Sequence, residues 1–361
     1  MFLGWKEIQF NKSKYILIST VLVLLIFMVL FLSGLANGLA RATSAIIEDS
    51  DASSYILSND ADSIIPRSSI PLEVLKDIEP QLGSSVTPIN LQRMNFTISG
   101  NTTKMDITYM AVDMDSFMMP KVFTGKGLSN ESDTIVLDDS FIDESIAIGD
   151  VIKDSTSGME FKVAGFSNDI LYGHSPIGVI SLESFTTMQT SIDPGYSQSY
   201  HALAIKGDSS HIQYADELEI IPKQEIISNI PGYSAEQTTI QMILWVLVVV
   251  SAAILGVFFY ILTIQKLPEF GVLKALGSEM SMLARIIFFQ VLFIAGFSML
   301  LGNLLTFLMA MFLPNSMPFS LNPVSAVFIS LIYLIISILA SMLSLRRVSK
   351  VDPLMTIGGN A

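Results

Sequence analysis

Four long apolar runs organise this chain. One covers Tyr15–Asn37, and three crowd the C-terminal third at Ile240–Ile264, Ile286–Phe312 and Val324–Leu345. A helix of roughly 20 apolar residues crosses a bilayer, and each run is long enough. Tyr15–Leu32 carries no charged side chain over 18 positions, longer than the apolar core of a secretory signal. About 200 mostly polar residues separate the first run from the second.

That inserted stretch is patterned for a mixed fold. Alternation over Ser85–Ile98 and Lys104–Val112, around the turn residues Ser99-Gly100-Asn101-Thr102, predicts a β-hairpin. Short strands are expected at Thr134–Leu137, Val151–Lys153, Glu160–Phe166, Ile177–Ser181 and His201–Lys206. Leu182–Met188 and Tyr214–Glu219 read as short helices, and Gln224–Ile230 as the return toward the membrane. Ser33–Ala45 continues the first span as a helical stalk, and the Ser-, Asp- and Asn-rich Asp49–Ser69 marks where it ends. The expected fold is an α-helical membrane protein with four transmembrane helices (1+3) and a large mixed α+β extracellular domain inserted between the first and second. The parts are a cytoplasmic amphipathic N-terminal helix (1–14), first span and stalk (15–47), extracellular domain (48–236, second lobe about 120–200) and second span (237–264). A cytoplasmic coupling-helix loop (265–285), third span (286–312), short extracellular loop (313–323), fourth span (324–345) and cytoplasmic tail (346–361) follow.

Charge orients these parts. The net charge is −13, but residues 48–236 hold 29 acidic against 10 basic side chains, a net of −19, and the rest 4 acidic against 10 basic, a net of +6. The basic residues outside the insert cluster at Lys6, Lys12 and Lys14, at Lys266, Lys274 and Arg285, and at Arg346, Arg347 and Lys350, with only Arg41 left over. Four crossings put all three clusters on one side, and excess Lys and Arg in short loops marks the cytoplasmic side. Both termini are expected inside and the acidic insert outside. There is no cysteine, so the insert must hold together on its own hydrophobic core. Composition fits this mixture, 51% hydrophobic residues and a mean hydropathy of +0.56. No nucleophile–base spacing, metal-ligand spacing or G-x-x-x-x-G-K-[ST] phosphate loop occurs, so the chain is not expected to be an enzyme or to bind ATP itself; nothing points to nucleic acid.

Between the second and third spans, Pro268 suits a helix's first turn and Gly277 the position just past its end. Phe270, Leu273 and Leu276 share one face between them. In the third span Gly296 and Gly302, followed by Asn303, are candidates for close helix approach. The loop LPNSMPFSLNP is uncharged and stiffened by Pro314, Pro318 and Pro323.

The layout resembles the FtsX/MacB-type permeases of ATP-binding-cassette systems. The sharpest piece is EFGVLKALGSEMSMLARIIFFQ (269–290), similar to the family's E-x-G-[IV]-L-[KR]-A-[LI]-G segment; the tail VDPLMTIGG resembles its [IV]-D-P-x-x-A-[IL] ending, with Thr356 in place of Ala. Further segments resemble the haem-exporting HrtB-type permeases of Gram-positive bacteria: the start at Lys6–Ala42, SNDILYGHSPIGVIS (167–181), SAEQ (234–237) and FFYILTIQK (258–266). Related DevC-type permeases share much of this pattern. The resemblance implies a homodimer in the cell membrane of a Gram-positive bacterium, working with a cytoplasmic ABC ATPase dimer that binds ATP and Mg. It implies ATPase coupling through Glu269, Phe270, Gly271, Leu273, Lys274, Leu276 and Gly277, and haem as cargo, with no intrinsic cofactor.

An exported porphyrin needs apolar walls and weak iron ligands, and His174, His201 and His211 all fall in the insert, so ligands near the membrane must come from Met, Tyr or carboxylate. Met28, in the outer half of the first span, and Glu236, just before the second, stand out, and the resemblance points to the same pair; Tyr233 is their aromatic neighbour. These residues are the expected haem contacts, with Met28 and Glu236 the only expected metal contacts, through haem iron. Against this stand bland readings: Met28 as packing, Glu236 as an interfacial residue pairing with a loop, and His174, in its YGHS turn, as a surface or hinge residue. An anionic porphyrin is repelled by a −19 domain, so the insert is expected to gate rather than hold it. The alternatives are an exporter of another amphipathic compound or antimicrobial peptide, or a non-transporting mechanotransmitter that regulates a cell-wall hydrolase.

Overall fold

The computed structural model describes residues 10, 12–98, 103–129, 133–209, 211–266, 268–269, 271–272, 277–313 and 317–348. The N-terminal helix expected over 1–14 lies largely outside them, as do Phe270, Leu273, Lys274 and Leu276 of the coupling segment. In chain order the elements are α1 (Lys12–Glu48), β1 (Ser54–Ser58), β2 (Ile70–Pro71), α2 (Leu72–Leu82), β3 (Val86–Ile98), β4 (Met105–Val112), β5 (Val122–Gly125), β6 (Thr134–Asp138), α3 (Ser140–Asp143), β7 (Val151–Asp154) and β8 (Glu160–Ser167). There follow β9 (Leu171–Tyr172), β10 (Ser175–Ser181), α4 (Leu182–Ile192), β11 (Ser199–Tyr200), β12 (Ala202–Ile205), β13 (Leu218–Pro222), α5 (Lys223–Asn229), α6 (Tyr233–Gln265), α7 (Met280–Phe312) and α8 (Pro323–Val348). The chain divides into two compact units, Leu39–Thr238 and, formed from both ends, Met1–Gly38 with Thr239–Ala361.

The inserted unit is built on an 11-stranded mixed sheet in the order β13-β1-β12-β3-β4-β10-β6-β8-β5, with β7 against β3 and β8, and β9 against β10. β3 is its spine. Its start pairs with β12 (Ile89 opposite Ala202), its middle with β4 (Gln92 opposite Tyr109), and its end with β7 (Ile98 opposite Ile152). Residues 86–91 are buried on both faces, so the first half lacks the polar alternation of a half-exposed strand. β4 and β10 run parallel, as do β6 and β8. Residues 120–200 thus hydrogen-bond into the same sheet as β3 and β4, and their core of Phe161, Phe166, Phe185 and Met188 includes Phe96, Ile107 and Tyr109 from those strands. A second core gathers Tyr55, Ile89, Met110, Val136 and Ile177, and takes Ile46 and Ile47 from the end of α1.

One local expectation fails, and one strand goes unforeseen. Tyr214–Glu219 is not a helix: a turn precedes β13, which begins at Leu218 and pairs with β1. Leu218 and Ile221 gain more by joining the sheet core than a short, Asp- and Glu-rich helix could recover. Ser54–Ser58, inside the polar stretch Asp49–Ser69 that marks the end of the stalk, is a buried strand, with Tyr55, Ile56 and Leu57 fully inaccessible.

Among the described residues, four helices are long and apolar enough to cross a membrane, and they carry the other unit. Tyr15, Ile18, Leu22, Ile26 and Val29 of α1 recur at helical spacing and meet Leu255 and Phe259 of α6, Ile287 and Val291 of α7 and Tyr333 of α8. Small and polar residues set the approach. Cβ on Gly302 would lie 2.8 Å from Ile26 Cγ2 on α1, whereas Gly296 faces open space. Asn303 Nδ2 donates to Ser330 Oγ at 2.9 Å and to Met299 O at 2.9 Å, tying α7 to α8. The segment before α8 rests on α1: Ser320 N donates to Gly34 O at 3.0 Å, and the Phe319 ring lies 5.3 Å from that of Phe31. Lys266, read from sequence as a loop cation, is instead buried; its Nζ donates to Gln290 Oε1 at 2.6 Å and lies 5.8 Å from the Tyr15 ring centre.

Candidate functional site

The inserted unit holds one compact group of convergent polar side chains beside Glu236. It begins with a tight hairpin. Tyr172 of β9 pairs with Ser175 of β10, and the two residues between them, Gly173 and His174, have φ of +58° and +60°. Positive φ at both central positions is the type I′ pattern that matches strand twist. Glycine adopts it freely, while a histidine there is uncommon and must be held.

The hold comes from α1. Gly173 N donates to Thr43 O at 2.9 Å and His174 N to Ala42 O at 3.0 Å. Arg41, directly before Ala42, donates through Nε to Asp169 Oδ2 at 2.7 Å and grips Asp49 through Nη1 and Nη2 at 3.2 and 2.7 Å. The loop preceding the hairpin is fixed from below: Ile170 N donates to Asp138 Oδ2 at 2.7 Å, and Ser140 N to Asp138 Oδ1 at 3.0 Å. Burial pushes the Asp138 carboxyl up to about 6, against the lowering effect of these donors.

So placed, the imidazole of His174 reaches Glu236. Its Nε2 lies 3.0 Å from Glu236 Oε1, 3.2 Å from Oε2 and 3.1 Å from Thr43 Oγ1. Thr43 Oγ1 donates its own proton to Leu39 O at 3.1 Å, leaving only lone pairs for the ring. A carboxylate likewise only accepts, so Nε2 carries the proton. His174 and Glu236 remain about one-third exposed, at 38% and 34% of their side-chain surface, so the carboxylate is fixed yet reachable.

α6 starts at Tyr233, and Glu236 N donates to Gly232 O at 3.0 Å in its first turn, ahead of the apolar run that opens at Ile240. Gly232 makes this start possible with a φ of +90°. Tyr233, one turn before Glu236, packs half-buried against the core of Tyr55, Ile89 and Met110. Met28 lies in the other unit, with 54% of its surface exposed and its face turned from the helix core. Of the expected haem contacts, the structure therefore groups Tyr233 and Glu236 on one helical turn and adds His174 and Thr43 to them.

The other histidines stand apart. His201 is buried, accepts from Leu91 N through Nδ1 at 3.1 Å and has its pKa pulled down to about 4 by burial. His211 is exposed beside Asp208. In the coupling segment, Pro268, Glu269, Gly271 and Val272 are helical, and Gly277 follows with a φ of +89°. Among the described residues no cluster of three or more His, Asp or Glu side chains is placed to hold a metal ion.

Sequence comparison covers both units. Residues 16–219 match the model of the MacB-like periplasmic core domain and residues 241–353 that of the FtsX-like permease C-terminal region. Permeases assigned, under the name HrtB, to hemin transport systems are 26% identical in Staphylococcus haemolyticus and 28% identical in Staphylococcus epidermidis, each over 99% of both chains. An uncharacterised ABC transporter permease of Mycobacterium tuberculosis is 21% identical, again over 99% of both. Among solved structures, the extracellular domain of the ABC-type transporter YknZ from Gram-positive bacteria aligns with 44% of this chain and 84% of its own, at 12% identity and a TM-score of 0.32. Two adjoining family matches, one on the inserted domain and one on the three C-terminal helices, together with relatives that align end to end, make this chain a member of the FtsX/MacB-type permease family of ABC transporters.

Proposed function

We propose that this permease is the membrane subunit of an efflux pump that exports haem, driven by a separate cytoplasmic ATPase. The observation that carries the reading is the end-to-end similarity to permeases assigned to hemin transport. Glu236 supports it: held by His174 and still one-third exposed, its carboxylate remains open to a metal. In this reading Glu236 and Met28 contact the haem iron and Tyr233 lies against the porphyrin face. Two copies assemble with an ATPase dimer, both termini are cytoplasmic and the inserted domain is outside. ATP-driven closure of the ATPase pushes on the Glu269–Gly277 segment, and the helices pass between two arrangements that load and expel the cargo.

Titration of the purified permease with haemin, followed by absorbance, tests the cargo. Saturable binding that weakens in both Glu236→Ala and Met28→Ala is expected. Absorbance changes that never saturate, equal in wild type and both variants, would contradict the reading.

A further inference from the structure

His174 is the side chain that holds Glu236. Its Nε2–H spans both carboxylate oxygens, at 3.0 and 3.2 Å, and each oxygen keeps a lone pair for another partner. Three independent contacts fix the ring: the hairpin's positive-φ geometry, the bond from His174 N to Ala42 O and the contact to Thr43 Oγ1 at 3.1 Å. Carboxylates and imidazoles that ligate iron or zinc work within such outer hydrogen bonds, which set orientation and basicity, and losing one typically costs 10–100-fold in affinity.

We infer that His174 is a positioning residue for Glu236, aiming its carboxylate at the iron of a ferric porphyrin through an Nε2–H that Glu236 shares with Thr43 Oγ1. The inference rests on the haem reading above and deepens it. Nε2 of His174 is not an iron ligand, since its N–H is turned to the carboxylate. The turn also joins the outer ends of two membrane helices within the inserted unit, Thr43 on α1 and Glu236 on α6. Any movement of those ends that stretches these contacts frees the carboxylate from its aim, which supplies a route to release of the cargo.

The test is haemin titration of the full-length permease in four forms: wild type, Glu236→Ala, His174→Ala and His174→Gln. Gln carries an N–H donor at nearly the position of Nε2. Expected are an affinity at least tenfold lower and an altered Soret band for His174→Ala, and recovery of both toward wild type for His174→Gln. A merely structural role would not be rescued in the spectrum by Gln. Wild-type affinity and spectrum in His174→Ala, with Glu236→Ala impaired, would overturn this inference alone, as would a Gln variant as weak as Ala. A wild-type protein without saturable haemin binding would overturn the cargo reading and this inference with it.

Discussion

The seat of the segment before α8 on α1 yields a graded set of expected stabilities. At Gly38 an added Cβ would overlap the carbonyl carbon and oxygen of Pro318 and sit 2.5 Å from Phe319 N. Those are backbone atoms, so no rotamer change relieves the clash and the segment must lift. Lifting strains or breaks the bond from Ser320 N to Gly34 O, a contribution of about 0.5–1.5 kcal/mol, and overpacking itself costs about 1–3 kcal/mol. Gly38→Ala should therefore cost on the order of 2–4 kcal/mol. At Gly34 the obstacle is the Phe319 ring, a side chain that can swing aside, so Gly34→Ala should cost about 1 kcal/mol or less. Gly296 meets nothing within 4 Å, and Gly296→Ala should be neutral or stabilising, since Ala is the better helix former by up to about 1 kcal/mol. Thermal unfolding of the detergent-purified protein ranks the three. Melting of Gly38→Ala at the wild-type temperature, or Gly296→Ala falling as far as Gly38→Ala, would refute the reasoning.

Three further outcomes are expected. Replacing Gln290 by Leu removes an acceptor of the buried Lys266 ammonium and should cost about 1.5–3 kcal/mol; adding Lys266→Met should return part of it, and additive single effects in a melting cycle would contradict the pairing. Asp138 has a folded-state pKa raised to about 6 from an ordinary value near 4, so the folded state binds its proton more tightly than the unfolded chain. Its contribution therefore grows as pH falls from about 7 toward 4, by up to roughly 3 kcal/mol; denaturant titrations at pH 7 and pH 5 should show a gradient in wild type that Asp138→Asn flattens, and equal gradients would count against it. Because the chain has no cysteine, single reporters read its orientation cleanly: Asp208→Cys, at an exposed position, should react with a membrane-impermeant maleimide in intact cells, and Arg285→Cys only after permeabilisation, the reverse pattern inverting the proposed topology.

The membrane helices were legible because nothing but a bilayer or a protein core tolerates runs as apolar as Tyr15–Leu32. The β3–β4 hairpin was legible from alternation around a polar turn. β1 was not, because its five residues SYILS sit in a polar stretch, and only pairing with β12 and β13 on both sides buries them. Leu218–Pro222 misled for the same reason: its partner lies about 160 residues away in sequence, and local pattern carries no trace of so distant a pairing. At the site, Glu236 drew notice by its place beside an apolar run. His174 reads from sequence as a surface or hinge residue in its YGHS turn; Gly-His between two alternating segments signals a hairpin, but the spacing between His174 and Glu236 says nothing of their contact. Lys266 was taken for a surface cation because charge patterning counts residues without seeing that a long side chain can turn back to a buried amide such as Gln290.

Haem retention by cells lacking this permease tests the central claim most directly. Cells deleted for the gene and supplied with haemin should accumulate it and lose growth; the intact permease, expressed together with its ATPase, should restore export, and the same permease carrying Glu236→Ala should not. Full restoration by Glu236→Ala would contradict the assigned site, and unchanged haem content and growth in the deleted cells would contradict haem as the cargo.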